Sequence, residues 1–163
     1  MKRETEVTRD SLEKRALRML SRRDASRQEV STALRRELSK SRDAPREATE
    51  WIKSILDDCE ERGYLSNSRL AVNHFAALRR RGSSRRKIEA ALHKKGIDGE
   101  AVASLFAEEE TGAEAVAASR TVARRRFGKD REKFEKELAS LARAGFGYDD
   151  ARRALEEAAK EEE

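Results

Sequence analysis

The chain has 163 residues, 42% of them charged, 37% hydrophobic and 5% aromatic, which is too little apolar material for one deep core and suits several small ones. A single cysteine, Cys59, excludes an internal disulfide and a cysteine-built zinc cluster. No apolar run approaches bilayer length, and the charged residues 1–10 lack the apolar stretch of a secretory signal, so a cytoplasmic protein with no membrane partner is expected.

One proline and long stretches of Ala, Leu, Glu, Lys and Arg favour helices throughout. A first helix is expected around Leu12, Ala16, Leu17 and Leu20, with Asp10 and Glu13 at capping-box spacing. A second begins at Ser26, paired with Glu29 in the same way, and buries Val30 and Leu34. Residues 39–44 before Pro45 read as a loop insertion. The third helix carries Trp51, Ile52, Ile55 and Leu56, and Gly63-Tyr64-Leu65 ends it with a left-handed glycine followed by an apolar residue.

The pattern then recurs. A fourth helix holds Leu70, Ala71, Phe75 and Leu78, and a fifth starts at Ser84 with Ile88 and Leu92 and stops at Gly96-Ile97. A sixth holds Ala101, Val102, Leu105 and Phe106. Thr111 with Glu114 opens a seventh helix, carrying Val116, Ser119, Val122 and Ala123. Asp130 opens an eighth, with Phe134 and Leu138, ending at Gly145-Phe146. Ala151, Ala154 and Leu155 mark a ninth. From Ser26, Ser84 and Asp130 the fourth and eighth residues onward are apolar in all three cases, so one helical stripe occurs three times. The starts lie 58 and 46 residues apart. The reading is an all-α, elongated array of three tandem three-helix repeats, residues 1–62, 63–110 and 111–163, and a monomer is expected.

Charge follows the repeat. The net charge is +5 and the pI about 9.5, which suits a polyanionic partner. From Arg79 to Lys95 there are eight basic residues and one acidic, a net +7; from Arg120 to Lys136 eight and three, a net +5. The corresponding elbow of the first repeat holds Arg22, Arg23 and Arg27. The third helices are acidic: residues 43–61 carry −5, 98–114 carry −6 and 149–163 carry −4. Ordinary stacking would line the elbows up as a basic ridge. Arg79, Arg80, Arg81, Arg85, Arg86 and Lys87, extended by Arg124, Arg125, Arg126 and Lys129, are the expected contact residues for DNA phosphates. Gln28 is the one Asn or Gln at a middle-helix start, so phosphate contact fits better than base reading.

No catalytic constellation is legible. Cys59 lies between Asp58 and Glu60, where a thiolate is disfavoured, and reads as packing. His74 and His93 are too isolated for a metal site, and no GxxxxGK[ST] phosphate loop is present. A binding protein without cofactors is expected.

The central motifs, Gly63-Tyr64-Leu65, then Leu70-Ala71, a basic run to Gly82, Ile88 and Leu92, and Lys95-Gly96-Ile97, resemble the RecX family of bacterial recombination regulators. The opening segment around Arg22–Val30 and the later Gly145-Phe146 turn are similar to the family's outer units. One departure stands out: Ser66 and Asn67 occupy a turn where the family usually carries Asp. The resemblance implies three-helix repeats that lodge in the groove of the RecA–DNA filament and modulate its ATPase and strand exchange, usually as an inhibitor, with effects on DNA repair and the SOS response. A stand-alone nucleic-acid binder and a helical scaffold for another partner remain the alternatives, and the sign of the effect is open.

Overall fold

The computed structural model describes residues 7–41, 45–109, 112–122 and 131–161. Among the described residues there are nine α-helices and no strand: α1 (Arg9–Leu20), α2 (Arg27–Leu38), α3 (Ala48–Glu61), α4 (Asn67–Arg80), α5 (Arg85–Lys94), α6 (Gly99–Ala107), α7 (Ala113–Val122), α8 (Arg131–Ala144) and α9 (Tyr148–Glu161). The all-α architecture expected from composition is therefore observed. Packing gathers the helices into two compact units, the described residues of 1–70 with 95–97, and those of 71–94 with 98–163.

In the first unit α1, α2 and α3 pack on one another. Leu12, Val30, Leu34 and Ile55 are wholly buried, with Ala16, Ile52, Leu56, Cys59 and Leu65 around them. Each large side chain so buried contributes roughly 1.5–3 kcal/mol relative to exposure. Burial pushes the Cys59 thiol pKa up, and the charges of Glu13 and Asp58 add to it, in keeping with a packing role.

In the second unit α7 and α8 pack against α9, and Ala117, Ala118, Val122, Leu141, Ala151, Ala154 and Leu155 form the core. The edge of one ring meets the face of the other where Phe75 of α4 approaches Phe106 of α6, with centroids 5.0 Å apart and planes at 74°. On α7 Val122 is buried as expected, but the rest of the stripe differs. Val116 is 50% exposed, while Ala117 and Ala118 are buried. The helix turns its small residues inward, where α9 and the Gly82 turn approach closely; Ala123 lies outside the described residues.

Local signals set the helix ends. Ser26 and Glu29 form the expected capping box, with both reciprocal bonds present. At α1 the box is one of its own: Thr8 is the N-cap and Ser11 its partner, so Asp10 and Glu13 do not start the helix. A short hydroxyl pair nearer the chain start satisfies the orphan N–H groups first. Thr111 and Asp130 lie outside the described residues. Gly63, Gly96 and Gly145 are left-handed, at φ 72°, 76° and 96°. After Gly63 and Gly145 the next apolar stretch folds back, Leu65 N–H donating to Cys59 O and Phe146 N–H to Leu141 O.

Candidate functional site

The elbow between α4 and α5 is held by residues that sequence alone assigns to an open surface. Gly82 turns the chain at φ 74°, Ser83 N–H donates to Leu78 O, closing the end of α4, and Thr121 Oγ1 donates to Gly82 O at 2.8 Å. Arg79 reaches into this turn. Its Nη1 donates to Ser83 O at 2.9 Å and to Glu114 Oε2 at 2.7 Å, and its Nη2 donates to Glu109 Oε2 at 2.6 Å. The guanidinium lies 5.3 Å from the Phe106 ring centroid and 5.8 Å from that of Phe75. Burial works against its charge, but the hydrogen bonds to Glu109 and Glu114 outweigh it and raise its pKa. With the side chain 12% exposed, Arg79 ties α4 to α6 and α7 and is not part of an open ridge. The acids that claim it lie 30 and 35 residues downstream, a distance at which no helical spacing rule applies.

The start of α5 is docked as well as capped. Glu114 accepts from Arg85 N–H with both carboxylate oxygens, at 2.9 and 3.1 Å. Ser84 is buried, and its Oγ donates to Ala144 O at 2.7 Å. Arg86 Nη2 donates to Arg143 O at 3.2 Å, placing a cation on the carbonyl end of α8, where the helix dipole favours it. The Arg86 side chain lies against Gly145. Arg80, Arg81, Arg85, Arg86 and Lys87 are exposed; Arg85 also pairs with Glu89 at 2.8 Å and stacks over Phe106 at 4.5 Å. The exposed cations of the elbow are thus Arg80, Arg81, Arg85, Arg86 and Lys87, of which Arg86 is also docked on α8. Arg124, Arg125, Arg126 and Lys129 lie outside the described residues.

The first unit repeats the arrangement with different chemistry. Arg27 N–H is capped by Asn67 Oδ1 at 2.9 Å, as Arg85 N–H is capped by Glu114. Gln28 lies against Gly96, as Arg86 lies against Gly145. Arg27 itself binds Asp57 and Glu60 of α3; the hydrogen bond to Asp57 leads the effects that raise its pKa. Lys95 Nζ reaches Glu29 Oε1 at 3.2 Å. The uncharged turn Ser66-Asn67 therefore keeps its structural work. Asn67 caps α2, and Ser66 Oγ accepts from Arg69 N–H at 3.2 Å. The signature residues Leu65, Leu70, Ala71, Ile97 and Phe146 are buried, whereas Tyr64 is 51% exposed.

Among the described residues no group of three or more His, Cys, Asp or Glu is placed to hold a metal ion, and no helix is long and apolar enough to cross a membrane. His74 is half-buried and His93 exposed.

These helices and their docked, charged elbows define an all-helical array. No protein-family model matches the chain. A regulatory protein RecX of Cronobacter sakazakii is 36% identical over 116 residues, spanning 70% of this chain and 69% of that protein. The regulatory protein RecX of Myxococcus xanthus is 29% identical over 95% of this chain and 89% of its own. In fold, the crystal structure of RecX from Lactobacillus salivarius superposes with a TM-score of 0.69 at 19% identity, covering 92% of this chain and 96% of that one. The chain belongs to the RecX family of regulatory proteins.

Proposed function

We propose that this protein binds the RecA–DNA filament and inhibits its ATPase and strand exchange, thereby restraining the linked DNA repair and SOS responses. Membership of the RecX family carries this reading. It acts by occupancy rather than catalysis, as a cytoplasmic monomer built of three repeats, residues 1–62, 63–110 and 111–163. The exposed cations Arg80, Arg81, Arg85 and Lys87 are suited to filament phosphates, which guanidinium groups bind in bidentate fashion. The acidic segments 98–114 and 149–163 suit basic patches of the recombinase.

The test is a titration of RecA ATPase on single-stranded DNA, with free DNA binding measured in the same buffer. The expected result is loss of ATPase at or below equal stoichiometry to RecA. A loss seen only once the protein saturates the DNA itself would replace this reading with that of a stand-alone nucleic-acid binder.

A further inference from the structure

The first unit carries a groove of about 360 Å³ lined by Arg15, Arg18, Met19, Arg22 and Arg23. Four of its five lining residues are arginines. They follow one another at helical spacing along α1 and its C-terminal turn, beside the buried stripe of Leu12 and Ala16. Two carboxylates stand at its edges, and each is shared with a lysine. Glu37 Oε2 lies 3.5 Å from Arg15 Nε and 2.9 Å from Lys40 Nζ. Glu29 Oε1 lies 3.2 Å from both Arg23 Nη1 and Lys95 Nζ. Four guanidinium groups line the groove, and the two carboxylates that reach them are each shared with a lysine, so positive charge is in excess there. Arg18 and Arg22 are exposed and have no carboxylate partner among the described residues.

A helix C-terminus attracts cations, but its partial charge is about −0.5, far short of what this cluster carries. We propose that the groove is a second nucleic-acid contact, separate from the α4–α5 elbow, that grips the sugar-phosphate backbone without reading bases. Arginine supplies planar, bidentate donors matched to phosphate. At 1.5 Å per residue, Arg15 to Arg22 covers about 10 Å, the axial length of about three phosphates of one strand. No Asn or Gln lines the groove, so adenine edges have no matched partner there. Its one apolar lining residue is Met19.

This inference does not depend on the filament reading, because it concerns binding to nucleic acid with no recombinase present. The full chain, the double variant Arg18→Gln/Arg22→Gln and the double variant Arg80→Gln/Lys87→Gln are compared for binding to single-stranded and duplex oligonucleotides of unrelated sequence over a range of salt. For Arg18→Gln/Arg22→Gln the expected result is binding weakened about tenfold or more, with the salt slope of log K reduced by about 2, alike for every sequence. Its helix content and unfolding midpoint stay those of the parent. An unchanged slope overturns the proposal. So does a loss confined to one sequence, or displacement of DNA by poly-glutamate at equal charge concentration, which would mark the groove as a site for acidic protein. If the slope falls while RecA ATPase is unaffected by the parent protein, the groove stands and the filament reading fails; the reverse pattern does the opposite.

Discussion

The side chain of Gln28 occupies the space beside Gly96 where any other residue would carry its Cβ. Gly96 is also left-handed, at φ 76°, so Gly96→Ala meets both backbone strain and a collision and should cost about 2–4 kcal/mol. Gly63 has the same handedness, at φ 72°, with nothing within 4 Å of its added Cβ, so Gly63→Ala should cost about 1–2 kcal/mol. Urea midpoints of the two variants measure the difference. Adding Gln28→Ala to Gly96→Ala should recover only part of it, because the Gln28 Cβ, 2.8 Å from the new methyl, remains.

Arg79 separates from its neighbour Arg80 in the same way. Arg79→Met strands Glu109 and Glu114, both largely shielded from water, and should cost about 2–4 kcal/mol. Arg80 is exposed, so Arg80→Met should stay within about 0.5 kcal/mol of the parent. Equal effects in denaturant unfolding would show that the contacts of Arg79 add nothing.

Glu29 gives the first unit an acid-sensitive joint. Burial alone would raise its pKa, but the Ser26 N–H and the Lys95 ammonium outweigh that and hold it below the usual carboxylate value. Its ionised form therefore contributes stability that is complete above the unfolded carboxylate pKa of about 4.3 and is lost as pH falls through the lower folded value. Glu29→Gln should flatten the acid limb of the stability curve below about pH 4.3 and lower stability at neutral pH. An acid limb of unchanged steepness would remove Glu29 from the joint.

Reversing charge at exposed elbow positions should separate binding from folding. Arg80→Glu with Lys87→Glu is expected to weaken the effect on RecA ATPase about tenfold or more, with the unfolding midpoint unmoved. Arg86→Glu should lower that midpoint too, because its guanidinium sits on the Arg143 carbonyl. Undiminished inhibition by the Arg80 and Lys87 variant at several salt concentrations would exclude those residues from the contact.

The helices were legible because their signals are local. Periodic apolar residues such as Val30 with Leu34 and Ile88 with Leu92 are buried as expected, and the turn glycines announced the helix ends. The division of labour among the arginines was not legible. Arg79, Arg80 and Arg81 are identical in type and adjacent in sequence, yet Arg79 is drawn inward by Glu109, just beyond α6, and Glu114 of α7. The docking of Ser84 and Arg86 on α8 likewise joins residues 57 or more apart. On α7 Val122 is buried as its spacing predicts, but Val116 is not, because alanine is compatible with either face and which alanines turn inward depends on how closely α9 and the Gly82 turn approach.

The inclusion of residues 95–97 in the first unit bears on how the chain is made. During synthesis α1, α2 and α3 emerge first and can bury their shared core, but the start of α2, already capped by Ser26, gains its contacts with Lys95 and Gly96 only when those residues leave the ribosome. A fragment ending after α3 would thus present Gln28 without Gly96 and Glu29 without Lys95, though with its Ser26 and Arg23 contacts intact, and the shortest piece able to complete that unit runs through Ile97.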